Sequence, residues 1–337
     1  MRFVSGQRRD ESLQRFPMTN DLPTKMPASE PYLIELGQRV ATGLARLSDE
    51  RRERHRQFIF SRQQRDGGFK GREGDSDLYY TSFAVRGLAV LGGMTSEEAV
   101  RIGQFIQIYN WRSLHVVDLI SWLYAALVTQ SFGGPDPFAH EPADWPDQLA
   151  AKLESVRTSD GGYAKSTEGA LGSTYQSFLV AMTYELLGRT PPKPNKLGQF
   201  LFDRQRDDGG FVEIAPMKTS GTNPTAAAAV LLRRLGFADA QLTTDLGDFL
   251  KQVRGSEGGI QANTRIPFSD GLSSFTGLLI ALDFGLLDQL NTANLETFVV
   301  QQLEFPTGGF RGASWDEQAD VEYTFYGLGI LGLLWSR

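Results

Sequence analysis

Two kinds of helical pattern alternate along the chain. One carries apolar residues on a single face and charges on the other, as in RRERHRQFIFSRQQ (residues 51–64), LAAKLESV (149–156) and LGQFLFDRQ (197–205). The other is apolar nearly all round, as in YYTSFAVRGLAVLG (79–92), TYQSFLVAMTYELLG (174–188), TAAAAVLLRRLG (225–236) and TFYGLGILGLL (324–334). A helix with a charged face can border water, whereas one without it must be covered on both sides. The first kind is therefore predicted to lie outside and the second inside. Between Thr95 and Phe132, SEEAVRIGQFIQIY and LHVVDLISWLYAALVTQ supply one more outer and one more inner helix. A separate lead-in helix is predicted for YLIELGQRVATGLARL (32–47).

Between the two kinds stands a recurring turn: QRDGGF, SDGGY, DDGGF, SEGGI and PTGGF. Its first glycines are Gly67, Gly161, Gly209, Gly258 and Gly308, spaced by 94, 48, 49 and 50 residues, so the first interval spans two periods with one pair missing. A repeat of this length marks a stacked supersecondary unit. Paired glycines let the chain leave a helix through a left-handed conformation and let backbones approach closely, while the next apolar residue fills the gap between units. The expected fold is all-α, six helical-hairpin repeats of about 48 residues, with residues 31–337 forming one domain behind a mobile polar leader of residues 1–30.

Composition narrows the function. The chain has 337 residues, 41% of them hydrophobic, with 34 Lys plus Arg against 40 Asp plus Glu and a net charge of -6, so no basic surface for nucleic acid is expected. The absence of cysteine removes disulfides, thiolate zinc sites and cysteine nucleophiles. The N-terminus lacks an apolar signal core and no later run is long and uncharged enough to span a bilayer, which points to a soluble, cytoplasmic protein. No Gly-rich phosphate loop, GxSxG elbow or HExxH motif occurs.

Two turns carry a fuller signature, Gln63-x3-Gly67-x-Phe69 and Gln205-x3-Gly209-x-Phe211. They resemble the QW motif of squalene and oxidosqualene cyclases, with Phe for Trp. SDLYYTSFAVRGLAVLG (76–92) looks more like the β subunits of protein prenyltransferases, especially the Rab geranylgeranyltransferase type. The resemblance covers residues 50–337 and implies an (α/α)6 toroid whose inner helices surround an apolar funnel, with chemistry at their N-termini. It also implies that the last repeat adjoins the first.

Carried residue by residue, the family's zinc ligands fall on Asp320 (for Asp), Glu322 (for Cys) and Tyr80 (for His, in Asp77-Leu78-Tyr79-Tyr80-Thr81). A linear register instead gives Asp270, Leu272 and Tyr323. Neither keeps the set, and His55, His115 and His140 match no ligand position, so a family-type Zn2+ site is not expected and no cofactor is certain. Mg2+ stays open to the carboxylates of ASWDEQADVE, where DEQAD resembles the DDxxD motif of class I terpene synthases. In that loop Asp316, Glu317, Asp320 and Glu322 stand where the family has bases for a diphosphate, and repel a bare one.

DVEYT (320–324) resembles the DxDDT motif of class II terpenoid cyclases, with Glu322 for the middle Asp and Tyr323 for the last. An acid that protonates an alkene must be buried and neutral beforehand, which two carboxylates sharing a proton provide. The catalytic candidates are thus Glu322, Asp320 and Asp77, the alternative being carboxylates that cap helices and complement their dipoles. Tyr79, Tyr80, Phe83, Tyr175, Phe178, Phe275, Tyr323, Phe325 and Tyr326 recur at inner-helix starts and are expected to line the funnel, an aromatic core layer being the alternative. Arg265 is a candidate phosphate contact or a solvated loop residue, and His115 with Asp118 an i, i+3 polar pair.

The leading expectation is an enzyme that binds an isoprenoid or prenyl diphosphate. Its alternative is a non-catalytic toroid that scaffolds a helical protein partner. An (α/α)6 glycosidase, needing paired carboxylates and sugar-stacking Trp, fits the Gly-Gly turns and five scattered Trp poorly.

Overall fold

A computed structural model describes residues 30–336; the leader expected to about residue 30 falls outside them. Thirteen helices follow one another: α1 (Tyr32–Leu44), α2 (Asp49–Phe60), α3 (Leu78–Val90), α4 (Ser96–Gln107), α5 (Val116–Ser131), α6 (Trp145–Ser155), α7 (Thr174–Leu186), α8 (Pro194–Phe202), α9 (Thr222–Arg234), α10 (Ala240–Gln252), α11 (Gly271–Asp283), α12 (Thr292–Phe298) and α13 (Val321–Trp335). The inner helices form a closed ring, each packed on the next in the order α3, α5, α7, α9, α11, α13 and back to α3. Their outer partners are α2, α4, α6, α8, α10 and α12. The expected toroid of six hairpins is what the chain adopts.

Each turn works in the same way. The first glycine takes a left-handed φ, from 85° at Gly209 to 99° at Gly258. It abuts the next outer helix: a Cβ at Gly67 would lie 2.4 Å from the Arg101 carbonyl oxygen, and one at Gly209 only 2.0 Å from that of Asp245. The second glycine faces a phenylalanine of that helix, Phe105 for Gly68 and Phe249 for Gly210. Gly308 and Gly309 repeat both contacts on Arg54 and Phe58 of α2, which closes the ring.

The residue after each pair is buried, Phe69, Tyr163, Phe211 and Phe310 completely, each worth about 1.5–3 kcal/mol. Its N–H donates to a hydroxyl of the inner helix: Phe69 to Thr81 (2.9 Å), Phe211 to Thr225 (2.8 Å) and Phe310 to Thr324 (3.1 Å). In two turns the extended segments pair as antiparallel ribbons, β1 (Ile260–Gln261) with β2 (Ser269–Asp270) and β3 (Phe310–Arg311) with β4 (Ala319–Asp320). The hairpin without a glycine pair has a short 3-10 turn, Trp111–Ser113, and buries Trp111 instead.

The lead-in helix α1 lies across the C-terminal ends of the inner helices. Its Tyr32 hydroxyl donates to Asp283 (3.0 Å) at the end of α11, and the Tyr32 N–H donates to Glu185 (2.8 Å) in the last turn of α7. Glycines at the α1–α13 crossing let the backbones touch, since a Cβ at Gly332 would sit 2.5 Å from the Val40 carbonyl oxygen. One end of the ring is thereby floored. No described helix is long and apolar enough to cross a membrane.

Candidate functional site

Because every inner helix follows its outer partner through one reversal of the chain, all inner helices start at one end of the ring. Extended residues precede them and cap them: Asp77 accepts the Tyr80 N–H (2.7 Å), Asp270 that of Ser273 (2.7 Å) and Asp320 that of Tyr323 (2.8 Å). Asp77 and Asp320 therefore hold helix starts in the manner of the alternative reading. The residue two beyond the cap points into the ring, namely Tyr79, Tyr175, Asn223, Leu272 and Glu322. The stripe continues at helical spacing through Phe83, Phe178, Phe275, Phe325 and Tyr326.

These side chains enclose a cavity of about 440 Å³ that runs to the α1 floor at Tyr32, Leu36 and Gly37. Phe83 and Phe275 each meet Tyr326 at 5.4 Å between ring centres, and Phe83 meets Phe325 at 5.7 Å. Tyr80, Tyr323 and Arg265, expected at the funnel, lie outside this wall. One residue along a helix is a turn of about 100°, so Tyr80 packs over Gly71 and Tyr323 over Gly312 while Tyr79 and Glu322 face inward. Arg265 sits on an exposed loop.

Glu322 is the carboxylate of the wall. Its Oε1 accepts the Tyr79 hydroxyl at 2.7 Å and the Tyr326 hydroxyl at 3.4 Å. Burial, with the nearby Asp320 charge, holds the Glu322 carboxyl above its ordinary value although both tyrosines favour the anion. Burial and Glu322 also push the Tyr79 phenol far up, so it remains the donor. The first and last repeats thus meet, as expected, but through Tyr79 rather than Tyr80.

No hydrogen bond joins Asp320 to Glu322 among the described residues. Arg72, from the loop before α3, binds Asp320 through Nε (2.9 Å) and Asp316 through Nη1 (2.9 Å). Burial raises the Asp320 carboxyl, the Tyr323 N–H and Arg72 oppose it, and Asp316 is lowered against its burial by the same guanidinium. The DEQAD carboxylates are therefore spanned by a cation that sequence reasoning missed, and Glu317 points to solvent. Among the described residues no group of three His, Asp or Glu side chains converges, and neither register of the family's zinc ligands brings three such ligands together. His115 immediately precedes α5 in extended backbone and makes no side-chain cap hydrogen bond, so the expected polar pair with Asp118 does not form.

A second missed residue is Arg86, one helical repeat below Tyr79 on the same stripe of α3. Its guanidinium carbon stands 4.6 Å from the Tyr124 ring centre and 5.2 Å from that of Phe83. The i, i+4, i+7 spacing from Tyr79 would have placed it in the wall.

A family model described as the prenyltransferase alpha-alpha toroid domain matches residues 32–116 and 117–336. No curated protein matches the chain. Among solved structures it is similar to Candida albicans protein geranylgeranyltransferase-I complexed with GGPP, at TM-score 0.65 and 16% identity over 84% of this chain and 90% of that one. The type II terpene cyclase MstE from Scytonema, in an R337A form with geranylgeranyl dihydroxybenzoate, is similar at TM-score 0.53 and 16% identity over 91% and 98%. An inactive α-1,6-mannanase of Salegentibacter sp. HEL1_6 with α-1,6-mannotriose gives TM-score 0.57 and 12% identity over 86% and 99%. At these identities the likeness is one of fold.

Proposed function

The chain belongs to the prenyltransferase alpha-alpha toroid family, and we propose that it is an enzyme binding a long isoprenoid substrate in its central cavity, with Glu322 as general acid. The observation that carries this reading is the cavity itself: about 440 Å³, floored by α1, walled by aromatic and aliphatic side chains, with a carboxylic acid near the inner-helix starts. Such volume and lining suit an apolar ligand of some twenty heavy atoms or more. Two of the similar structures carry geranylgeranyl compounds or GGPP, which supports the same ligand class.

In this reading burial favours the neutral form of Glu322, and the Tyr79 hydroxyl stabilises the anion left after proton transfer to the substrate. Asp320 and Asp77 position the helices that carry Glu322 and Tyr79. The ring faces of Phe83, Phe325 and Tyr326 hold the hydrocarbon and favour positive charge developing on it. Thermal unfolding with geranylgeranyl diphosphate and with geranylgeraniol, each with and without Mg2+, tests the proposal, because a ligand of the folded state raises the melting point by mass action. A saturable rise is expected; none with either compound would sink it.

One observation favours a second reading. Leu171, Ile214, Met217 and Trp315 are exposed, Trp315 by 66%, and all sit in the loops that precede inner helices at the Glu322 end. That apolar rim suits a helical partner docked on a non-catalytic scaffold. Ala227→Trp, which fills the cavity, separates the two. It abolishes ligand binding and turnover if the cavity works, and leaves the cellular role intact if the ring is only a scaffold.

A further inference from the structure

Arg86 is a charge without a partner. Among the described residues no hydrogen bond or ion pair forms with it, and its buried Nε meets no acceptor. What surrounds the guanidinium is the faces of Tyr124, Phe83 and, at 5.9 Å, Phe325. Ring faces attract a cation but accept none of its five N–H donors in line. Two polar groups of the cavity wall are already engaged: the Tyr124 hydroxyl with the Leu33 carbonyl (3.4 Å) and Glu322 with Tyr79 and Tyr326.

Arg86 is half-buried, and its Nε, shut off from solvent, is a donor left unsatisfied until something arrives to pair with it. The positions equivalent to Arg86 on the stripes of α9 and α11 are Val230 and Leu279, so the wall has no structural need of a cation there. Among the described residues the charged side chains of the cavity wall are Arg86 and Glu322, and burial disfavours the charge of Glu322. Arg86 therefore brings to the cavity wall a positive charge that no carboxylate among the described residues pairs with, about two helical turns below the inner-helix starts.

The geometry points to a ligand that carries a single negative charge, a carboxylate, into the cavity to form a forked pair with Arg86. A planar carboxylate matches the guanidinium and neutralises it one for one. A diphosphate brings two or more charges against one cation, and a neutral alcohol leaves the cation unmatched. This assignment rests on the cavity being the site of an isoprenoid chain, and it names the end group of that chain: an isoprenoid acid.

The test uses the full-length protein, its Arg86→Gln and Arg86→Leu variants, and calorimetric titration at neutral pH with geranylgeranoic acid, geranylgeraniol and palmitate. The parent is expected to bind the acid at least about tenfold tighter than the alcohol, and both variants to lose that preference while still binding the alcohol. Arg86→Leu should melt no lower than the parent, because it removes a buried Nε–H that meets no acceptor. Equal affinity for acid and alcohol, or a preference that survives in both variants, overturns the end-group assignment and leaves the isoprenoid reading standing. Arg86-dependent binding of palmitate with no binding of either isoprenoid does the reverse. No binding of any probe, or failure of both variants to fold, overturns the assignment.

Discussion

His55 Nδ1 accepts the backbone N–H of Gly309 at 3.0 Å, tying the first outer helix to the last turn of the chain, 254 positions away. The other ring nitrogen then carries the proton and faces Glu304 at 3.2 Å, which Arg51 also grips. The imidazole is fully buried and stacked on Phe310 at 5.0 Å. This seam closes the toroid.

His55→Leu keeps the volume but strands the Gly309 N–H and one side of Glu304. A loss of about 2–4 kcal/mol is expected from urea unfolding. A loss under about half a kcal/mol, the usual effect of a surface substitution, would mean that the ring closes by packing alone.

Two glycines with similar φ should respond differently to alanine. Gly236 has φ 80° with nothing within 4 Å of an added Cβ, whereas Gly209 has φ 85° with the Asp245 carbonyl 2.0 Å away. Gly236→Ala should cost about 1 kcal/mol, the left-handed penalty alone. Gly209→Ala should cost at least about twice that, and equal values would show that the close approach between repeats is not tight.

Glu322 gives stability a pH dependence. With its carboxyl raised above the ordinary 4.5 by burial, the folded state keeps a proton that the unfolded state releases, so this group removes stability as pH rises from 4.5 through the folded value. Glu322→Gln should melt higher than the parent at pH 8, with the gap closing below pH 4.5, and should abolish turnover. Tyr79→Phe, which deletes a bond that favours the anion, should move the alkaline limb of any pH–rate profile upward.

Arg72 holds Asp316 and Asp320 together. Arg72→Gln should destabilise by about 1–3 kcal/mol, since two carboxylates are left facing each other. Adding Asp316→Asn should recover part of the loss, and a double-mutant cycle with no coupling would refute the bridge.

The hairpins, their inner and outer members and the funnel-facing aromatics were legible because each rests on a local signal. Gly-Gly-Phe marks a turn within six residues, and an apolar stripe at helical spacing names a face within one helix. Tyr79, Phe83, Tyr175, Phe178, Phe275 and Tyr326 reach the cavity for that reason. Tyr80 and Tyr323 were read one position too far round the helix, and Arg86 went unread because a charge inside an apolar helix looks like an interruption.

By itself, then, the sequence determined six helical hairpins and which helix of each lies inside, since turn chemistry and periodicity act over neighbouring residues, while closure into a ring was what the family resemblance implied. Only the tertiary structure decided that Arg72 spans Asp316 and Asp320, that Tyr79 rather than Tyr80 meets Glu322, that His55 seals the ring and that Arg86 stands unpaired. The first three of those facts depend on side-chain directions where repeats 240 or more residues apart come together. No local pattern encodes that meeting, because it exists only once the ring has closed.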